Sequence, residues 1–463
     1  MKKTKTIILA AGKGTRMHSD VPKVLHRICG RSLLDHVITA NQDAGIKDVA
    51  VIVGYQADAV RTTLPETVTA FVQKEQLGTG HAVMQALPFL EGFDGNVLIL
   101  MGDAPLVRPQ TLQGLIEAHE KSGFAATVLT ACFDDPTGYG RIVKNGEALE
   151  KIVEQKDATP EEQQITEINS GMYCFDAAAL KKALAEIKPQ NVQGEYYLTD
   201  SIEILQKAGE KVGSYPTADP GDIAAVNSNI QLAQTAKIMQ RRINEKLMDS
   251  GVVMIDPERT YLSAQTTIGR DTVVYPGVIT EGIVKIGANC VVGHDSRIVD
   301  SVIADGVDIQ ISTILNSDVD SGTHVGPYAY LRPDSHIGKN VKVGDFVEVK
   351  NSTMKDGAKA SHLTYIGDAE VGKNVNLGCG TVFVNYDGTH KFRTVVGDNC
   401  FIGCNSNLVS PVTVADGAYV AAGSTITKDV PGEALAIARA RQVNKEGYTK
   451  KMPQLKDKKK GTK

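Results

Sequence analysis

The sequence predicts a two-part chain of α/β class. Its N-terminal domain is a parallel sheet with helices on both faces, and its C-terminal domain is a parallel β-helix of hexapeptide repeats. Two observations predict this. Large aliphatic residues recur at a constant step of six in the C-terminal half, and short apolar runs alternate with amphipathic stretches in the N-terminal half. Neither a helix, with a period of 3.6, nor an alternating strand, with a period of 2, produces a step of six.

Length and composition narrow the class of protein. At 463 residues the chain is too long for one core, so two or three domains are expected. A hydrophobic content of 42% and a charged content of 22% are typical of a soluble globular chain. The net charge of −4 indicates no general affinity for nucleic acid. No apolar run approaches the ~20 residues that span a membrane, so we expect no membrane partner.

The first apolar run and the cysteines indicate a reducing compartment. Residues 7–11 are apolar but end at Gly12, which is too short for the core of a secretory signal, about 7–15 residues. We therefore expect a buried first strand. The seven cysteines are scattered, odd in number and without a Cys-x-x-Cys pair. This pattern argues against a disulfide framework or a zinc site and favours a cytoplasmic location.

The N-terminal half has the strand–helix rhythm of a parallel sheet. Apolar strands are predicted at residues 6–11, 49–53 and 97–101, with an amphipathic helix at residues 33–44. Ligands of such sheets bind beyond the carboxyl ends of the strands. The first strand runs into such a position, at a glycine-rich turn.

That turn, Gly12-Lys-Gly-Thr-Arg-Met17, is followed by Pro22-Lys23. It matches neither the phosphate loop of common nucleotide hydrolases nor the dinucleotide-binding Gly-x-Gly-x-x-Gly pattern, because position 17 is Met. Glycines still let backbone N–H groups approach a phosphate, and Lys13, Arg16 and Lys23 supply positive charge. A tight strand-to-helix turn with solvated basic residues is the alternative.

The C-terminal half contains three runs with a step of six. They are Val396, Ile402, Leu408, Val414, Val420 and Ile426; Val319, Val325, Leu331, Ile337, Val343 and Val349; and Ile286, Val292 and Ile298. This spacing predicts a three-sided solenoid of about 18 residues per turn, whose stacked coils bury a continuous column. A β-sandwich with coincidental spacing is the alternative. Helical periodicity over residues 231–250 predicts a helix that links the two domains or packs as the last helix of the first.

The motifs at both ends resemble one family. Leu9-Ala-Ala-Gly-Lys-Gly-Thr-Arg-Met17 with Pro22-Lys23 resembles the signature of sugar nucleotidyltransferases. With the hexapeptide rod, residues 3–445 resemble the bacterial bifunctional N-acetylglucosamine-1-phosphate uridylyltransferase and glucosamine-1-phosphate N-acetyltransferase family. The resemblance implies a Rossmann-like nucleotidyltransferase domain at residues 1–230, a helical linker at 231–250 and a left-handed β-helix acetyltransferase domain at 251–463. It also implies homotrimers with sites in the clefts between chains.

The resemblance further implies a site in the first domain. UTP and the UDP-sugar are expected to contact Leu9, Ala10, Ala11, Gly12, Lys23, Gln73, Gly78, Thr79, Gly140, Glu154, Asn169 and Asn227. Lys23 and Arg16 are the expected catalytic cations, and Asp103 and Asn227 the expected Mg²⁺ ligands. An Asp at the end of an apolar strand suits Mg²⁺, which prefers hard oxygen ligands. A cap for the following helix is the alternative role for Asp103.

A second set of residues is implied on the rod. His362 matches the catalytic base. Arg332, Lys350, Tyr365 and Asn376 match the contacts to glucosamine-1-phosphate. Cys379, Asn385, Tyr386, Cys404, Ala422 and Arg439 match the contacts to acetyl-CoA. The separation of Arg332 and Lys350 by one full turn of the predicted solenoid indicates, without the family, that both lie on one face, one coil apart.

Further expectations concern single segments of the rod. Cys379 and Cys404 stand where Ala and Ser are usual, which predicts sensitivity of the acetyl-CoA site to alkylation. Glu348, roughly one turn before His362, is expected to orient the imidazole. The step of six fails at residues 383–392, which predicts a projecting loop. The lysine-rich tail, residues 450–463, is expected to be solvated and disordered.

The resemblance thus implies an enzyme that acetylates glucosamine-1-phosphate and then transfers uridylyl from UTP, with Mg²⁺ as its cofactor. One alternative keeps the architecture and changes the sugar. Another is a non-enzymatic scaffold that senses nucleotide sugars. Asp103, Asn227 and His362 together argue against an inactive site.

Overall fold

The computed structural model describes residues 2–146, 148–191 and 193–452. It divides the chain into two compact units. The first runs to Glu245 and includes Leu262–Ala264, and the second comprises Lys246–Tyr261 and the chain from Gln265 onward. Most of the tail predicted to be solvated, from residue 453 on, lies outside the described residues.

Among the described residues, a mixed sheet with four parallel and four antiparallel strand pairs organises the first unit. Its strands are β1 (Thr4–Ala10), β4 (Asp48–Val53), β5 (Val68–Val72), β6 (Asn96–Met101), β7 (Ala126–Cys132), β8 (Gly140–Asn145), β9 (Ala148–Val153), β10 (Glu167–Asp176) and β11 (Val212–Pro216); β2 (Arg27–Ile28) and β3 (Arg31–Ser32) form a separate ribbon. The strand order is β11-β7-β10-β6-β1-β4-β5. Strand β10 is antiparallel to both of its neighbours, which departs from the purely parallel prediction, and the β8–β9 hairpin adds beside it.

Helices cover both faces of this sheet. They are α1 (Leu33–Asp43), α2 (Ala57–Arg61), α3 (Thr79–Met84), α4 (Pro109–Ser122), α5 (Ala177–Glu186) and α6 (Asp200–Lys207). Successive side chains of β1 enter opposite cores, Ile7 and Leu9 on one side and Ile8 and Ala10 on the other. Fully burying each large aliphatic side chain stabilises the fold by roughly 1.5–3 kcal/mol. Because β1 is buried on both sides, nearly all of its residues toward the carboxyl end are apolar.

The helix predicted at residues 231–250 is confirmed as α7 (Asn229–Asp249). The helix begins two residues before the predicted start and ends one residue before the predicted end. Among the described residues, no helix has both the length and the apolar character that crossing a membrane would demand.

The second unit is a rod of stacked three-sided coils. Its first face contains β12 (Val253–Met254), β14 (Val273–Val274), β17 (Val291–Val292), β20 (Asp308–Ile309), β23 (His324–Val325), β26 (Lys342–Asp345), β29 (Lys359–His362), β32 (Asn376–Leu377), β35 (Phe401–Ile402), β38 (Tyr419–Val420) and β40 (Leu435–Ala436). Its second face contains β15 (Ile279–Glu281), β18 (Arg297–Val299), β21 (Thr313–Leu315), β24 (Tyr330–Leu331), β27 (Glu348–Lys350), β30 (Tyr365–Gly367), β33 (Val382–Val384), β36 (Asn407–Val409) and β39 (Thr425–Ile426). Its third face contains β13 (Thr267–Ile268), β16 (Lys285–Ile286), β19 (Val302–Ile303), β22 (Ser317–Val319), β25 (Ser335–Ile337), β28 (Ser352–Met354), β31 (Ala369–Val371), β34 (Thr394–Val396) and β37 (Val412–Val414).

The step of six corresponds to one inward side chain per face. Ile402, Leu408 and Val414 point inward from the first, second and third faces of one coil at this step, and each has 0% exposure. Strands of successive coils pair in parallel, as in the pairing of Val343 with Ala360. The prediction of stacked three-faced coils is confirmed. The left-handed sense of the rod stays a prediction.

Candidate active sites

The glycine-rich turn lies at the carboxyl end of β1. Leu9, Ala10 and Ala11 are buried at this end. A Cβ atom added to Gly12 would meet no atom of the described residues within 4 Å, so the backbone there has room for a ligand. Such open backbone is what a phosphate-binding turn requires.

The same turn makes room for the predicted catalytic lysine. Gly14 has φ +66°, and a Cβ atom there would lie 2.6 Å from the Cβ of Lys23. Any other residue at position 14 would therefore be strained and would displace Lys23. Arg16 lies on the 3₁₀ turn Thr15–Met17 and is exposed.

Lys23, Asp103 and Asn227 meet in one cluster, although they are far apart in the sequence. The Nζ of Lys23 donates to Oδ2 of Asp103 and, at 3.1 Å, to Oδ1 of Asn227. The backbone N of Val226 donates to the carbonyl of Asp103 at 2.9 Å, which brings Asn227 beside the strand end. The structure thus brings together both predicted metal ligands and one of the predicted catalytic cations.

The oxygen atoms of this cluster fit a hard divalent cation. Oδ1 of Asp103 is buried and has no hydrogen-bond partner among the described residues. With Asn227 it offers carboxylate and amide oxygens, the ligand type that Mg²⁺ prefers. Over the described part of the chain, His, Cys, Asp and Glu form no group of three or more that could hold a metal. Mg²⁺ here would therefore depend on substrate phosphates for further ligands, as is usual for it.

A second loop carries the residues predicted to contact uracil and ribose. Gln73 is 3% exposed, and its Nε2 donates to the carbonyl of Gly78 at 3.1 Å. Gly78 has φ +107°, and a Cβ atom there would lie 2.5 Å from the carbonyl oxygen of Tyr196. The hydroxyl of Thr79 accepts from the backbone N of Leu198 at 3.0 Å. The loop is therefore held tightly, with the Gln73 amide fixed inside it.

The three residues predicted to bind the sugar also come together. Gly140 of β8 pairs with Asn169 of β10, and a Cβ atom on Gly140 would lie 3.5 Å from both Asn169 Cβ and Glu154 Oε1. A glycine at this position leaves space in front of two polar side chains. Burial raises the pKa of Glu154, and the charges of Asp157 and Asp200 raise it further.

On the rod, Arg332 and Lys350 lie as the spacing predicted, at equivalent positions on the second face. Strands β24 and β27 pair in parallel, with Leu331 opposite Val349. The pKa of Lys350 is lowered, first by its contact with Lys391 and then by burial. The charges of Lys391 and Arg332 both act on Lys350, and such a group of cations suits an anion such as phosphate. Tyr365 follows on the next coil of the same face, opposite Glu348.

The predicted projecting loop is present between β33 and β34. The coil that contains it joins Ala369 to its register partner Thr394, and it is longer than the preceding coil, which joins Thr353 to Glu370. Its base is closed by a bridge between Tyr386 and Lys391. The loop therefore carries Lys391 to Lys350.

Asn385 anchors this loop. Its side chain is 6% exposed, and its Nδ2 donates to Oδ2 of Asp368. Tyr365 Oη lies 3.5 Å from the same nitrogen. The amide nitrogen of Asn385 is thus engaged within the protein. Tyr386, by contrast, is 55% exposed, and its hydroxyl donates to the carbonyl of Gly388 at 2.6 Å.

One corner of the rod, between the first and second faces, collects the predicted base and acetyl-CoA residues. Successive coils place Asp345, His362, Cys379, Cys404 and Ala422 at this corner, which we call the corner column. Backbone hydrogen bonds at 2.8–2.9 Å link three of its four steps, each donated by the residue after one member to the carbonyl of the member on the preceding coil. Leu363 N donates to Asp345 O, Asn405 N to Cys379 O, and Gly423 N to Cys404 O. Arg439 reaches the end of the column, donating from a terminal nitrogen to Ala422 O at 3.0 Å.

The prediction that Glu348 orients His362 is wrong. Glu348 accepts from Arg332 at 2.8 Å, and its register partner on the next coil is Tyr365. The partner of His362 is Asp345, whose Oδ1 lies 2.5 Å from His362 Nδ1. One complete coil leads from Asp345 to His362, so Glu348, which is nearer to His362 along the chain, lies on a different face. The coil length was the signal that could have identified Asp345.

Asn376 lies apart from the other sugar-phosphate residues. It lies on the first face, in register with Lys359 and Phe401, whereas Arg332, Lys350 and Tyr365 belong to the second face. Within one chain, the structure does not bring Asn376 onto their face.

Comparisons with known families agree with this two-part architecture. A model of the MobA-like NTP transferase domain matches residues 6–166. A model of the bacterial transferase hexapeptide, with six repeats, matches residues 393–428. The first match covers the glycine-rich turn, Gly140 and Glu154 but ends before Asn169, and the second covers coils near the end of the rod.

Full-length relatives are similar along nearly the whole chain. The bifunctional protein GlmU of Alkaliphilus metalliredigens is 53% identical, covering 96% of this chain and 98% of that protein. Its counterpart in Clostridioides difficile is 52% identical over 98% of this chain and 99% of that protein. That of Alkaliphilus oremlandii is 55% identical over 98% and 100%, respectively.

Proposed function

The chain belongs to the family of bifunctional GlmU proteins, and we propose that each of its two activities resides in one of its two units. It is a bifunctional enzyme that transfers acetyl from acetyl-CoA to glucosamine-1-phosphate and uridylyl from UTP to N-acetylglucosamine-1-phosphate, releasing pyrophosphate. The product, UDP-N-acetylglucosamine, is a cell-wall precursor. We assign uridylyl transfer to residues 1–230, a linking role to residues 231–250, and acetyl transfer to residues 251–463.

The corner column is the single observation that carries the assignment of acetyl transfer. It aligns the imidazole of His362 with Cys379, Cys404 and Ala422 on consecutive coils. An extended thioester substrate lying along this column would bring its carbonyl to His362. The neighbouring cations of the second face would hold the phosphate of the sugar.

In acetyl transfer, His362 is the general base. The sugar amine attacks the thioester carbonyl, the carbon–sulfur bond breaks, and the amine proton passes to the free imidazole nitrogen. Arg332, Lys350 and Lys391 neutralise the sugar phosphate, and Tyr365 and Asn376 complete the sugar contacts. Asn385, Tyr386, Cys379, Cys404, Ala422 and Arg439 line the path of acetyl-CoA.

In uridylyl transfer, positioning and charge neutralisation provide the catalysis. A phosphate oxygen of the sugar-1-phosphate attacks the α-phosphorus of UTP, and pyrophosphate leaves without a covalent enzyme intermediate. Lys23, Arg16 and the open backbone at Gly12 bind the phosphates. Gln73, Gly78 and Thr79 bind uracil and ribose, and Gly140, Glu154 and Asn169 bind the amino sugar.

Mg²⁺ is the proposed cofactor of uridylyl transfer. Asp103 and Asn227 would hold it through their side-chain oxygens. When bound, it supplies positive charge to the phosphate oxygens. The buried, unpartnered Oδ1 of Asp103 is the feature that supports it.

We propose a cytoplasmic homotrimer built through the rod. Asn376 lies on a different face from Arg332 and Lys350, so a cleft between two copies would bring these residues to one substrate. The free state of all seven cysteines agrees with a reducing compartment. Sedimentation of the full chain should give three times the monomer mass of 49.5 kDa.

A substrate comparison separates this function from its alternatives. The full chain should consume acetyl-CoA with glucosamine-1-phosphate and should consume UTP with N-acetylglucosamine-1-phosphate, each product being identified by mass. Glucose-1-phosphate is the control, because it has no amine to acetylate. Faster UTP consumption with glucose-1-phosphate would indicate a different sugar, and no turnover of either pair would indicate a sensing scaffold.

A further inference from the structure

Asp345 and His362 occupy equivalent positions on consecutive coils of the first face. They are register partners of β26 and β29, and the His362 Nδ1 lies 2.5 Å from the Asp345 Oδ1. The residue after each is in the left-handed region, with φ +55° at Phe346 and +45° at Leu363. Such backbone persists only where the surrounding structure holds it. The corner therefore directs both side chains outward side by side.

This contact determines which nitrogen of the imidazole carries the proton. An ionised carboxylate only accepts hydrogen bonds, so Nδ1 must be the protonated nitrogen. The contact with His362 also holds the pKa of Asp345 below its usual range. In neutral His362, Nε2 then keeps its lone pair. Among the described residues, no group forms a hydrogen bond with that Nε2.

A histidine beside an aspartate on the adjoining coil is not by itself a catalytic arrangement. His324 and Asp308 form such a pair at 3.0 Å, but the second ring nitrogen of His324 contacts the carbonyl of Gly326 at 3.1 Å. Both nitrogens of that imidazole are thus engaged. His324 cannot serve as a base without breaking a contact.

A third pair has the same geometry at a different face. His336 Nδ1 lies 3.0 Å from Asp318 Oδ2 on the third face. The anion-binding residues Arg332 and Lys350 belong to the second face, which adjoins the corner of His362 instead. Of these three pairs, the one at His362 combines an unengaged ring nitrogen with the corner that leads to the phosphate-binding face.

We propose that Asp345 is the positioning residue for acetyl transfer, holding Nδ1–H of His362 so that Nε2 faces the substrate amine. The inference rests on the proposed function of His362 as the base. As the nitrogen–carbon bond forms and the carbon–sulfur bond breaks, Nε2 takes the amine proton and then returns it to the departing thiolate, which leaves as a thiol. The Asp345 carboxylate stabilises the imidazolium between these transfers and stays ionised throughout.

The test is the Asp345→Ala variant of the full chain, with Asp318→Ala as its matched control. We expect Asp345→Ala to lower kcat for acetyl transfer by about 10- to 100-fold, a usual effect of removing a group that orients another ligand or base. KM for both substrates should stay within about twofold, because we propose that Asp345 acts through the imidazole of His362 and not on the substrates. Asp318→Ala, which removes an equally placed carboxylate from a histidine outside the site, should leave kcat unchanged. Uridylyl transfer by both variants reports on correct folding of the first unit, and thermal melting reports on correct folding of the rod.

A double-mutant cycle separates positioning from a structural role. In single-turnover assays with enzyme in excess, adding Asp345→Ala to His362→Ala should lower the rate no further, because the residue acts through the imidazole. A wild-type kcat for Asp345→Ala, an equal loss in the His362→Ala background, or a parallel loss of uridylyl transfer would each overturn the inference. Wild-type acetyl transfer by His362→Ala would instead overturn the proposed base itself.

Discussion

The ammonium of Lys23 lies against the carboxylate of Asp103, which is distant in the sequence. The same nitrogen donates to Asn227 Oδ1 at 3.1 Å, while the other oxygen of Asp103 is buried without a partner among the described residues. The lysine thus occupies one side of the oxygen set that we propose for Mg²⁺. A bound Mg²⁺ and the Lys23 ammonium would therefore compete for the negative charge of the Asp103 carboxylate.

The first prediction concerns this competition. Lys23→Met, which keeps an unbranched side chain one atom shorter and removes the charge, should bind Mn²⁺ or Mg²⁺ about threefold or more tightly in the absence of nucleotide, because the metal no longer competes with an ammonium. The same variant should lose uridylyl transfer, since the phosphates lose a cation. Calorimetric titration of the full chain measures the affinity. Unchanged or weaker metal binding would show that Asp103 and Asn227 are not the ligands.

The second prediction concerns Glu154, whose pKa is raised chiefly by burial. A carboxylate with a raised pKa destabilises the folded chain while it is ionised, and this destabilisation disappears as the pH falls through its folded pKa. Glu154→Gln should therefore raise Tm at pH 8 and raise it less at pH 5. It should also lower kcat/KM for uridylyl transfer by about 10- to 100-fold, because the sugar loses a charged acceptor. A Tm that falls at pH 8 would contradict this account.

The third prediction concerns the cations of the second face. Lys350→Ala should raise KM for glucosamine-1-phosphate by about tenfold or more, because a charge-assisted contact to phosphate is lost. Its control, Lys355→Ala, removes an ammonium just after the strand on the third face and should leave KM unchanged. Steady-state kinetics with varied sugar phosphate makes the comparison. Equal KM values for the two variants would show that Lys350 does not bind the phosphate.

The fourth prediction concerns the two thiols of the corner column. Treatment with N-ethylmaleimide should abolish acetyl transfer, spare uridylyl transfer, and act more slowly when acetyl-CoA is present. The double variant Cys379→Ala, Cys404→Ser should resist the reagent. Cys132, an exposed thiol of the first unit, is the control, and Cys132→Ser should remain sensitive. Inactivation of the double variant at the wild-type rate would exclude the column as the thioester path.

The sequence sufficed for features that depend on local periodicity. The constant step of six predicted the rod, and the failure of that step predicted the loop that carries Lys391. The separation of Arg332 and Lys350 predicted their common face because it equals one coil. In each case, spacing along the chain converts directly into position on the rod.

The sequence did not predict features that depend on the length of a particular coil or on contacts between distant segments. An approximate turn length favoured Glu348 as the partner of His362, whereas the actual register places Asp345 opposite it. The pairing of Lys23 with Asp103 follows from the fold of the sheet and its loops, which no local pattern reports. The position of Asn376 on the first face, apart from Arg332 and Lys350 on the second, likewise depends on the register of its coil.

The most direct test of two independent sites measures both activities in Asp103→Ala and His362→Ala full-length variants. We expect Asp103→Ala to lower uridylyl transfer about a hundredfold or more and to leave acetyl transfer within about twofold of wild type. His362→Ala should do the reverse, by a similar factor. If either substitution abolished both activities in a protein that remains folded, or if His362→Ala acetylated glucosamine-1-phosphate at the wild-type rate, the assignment of one activity to each unit would be contradicted.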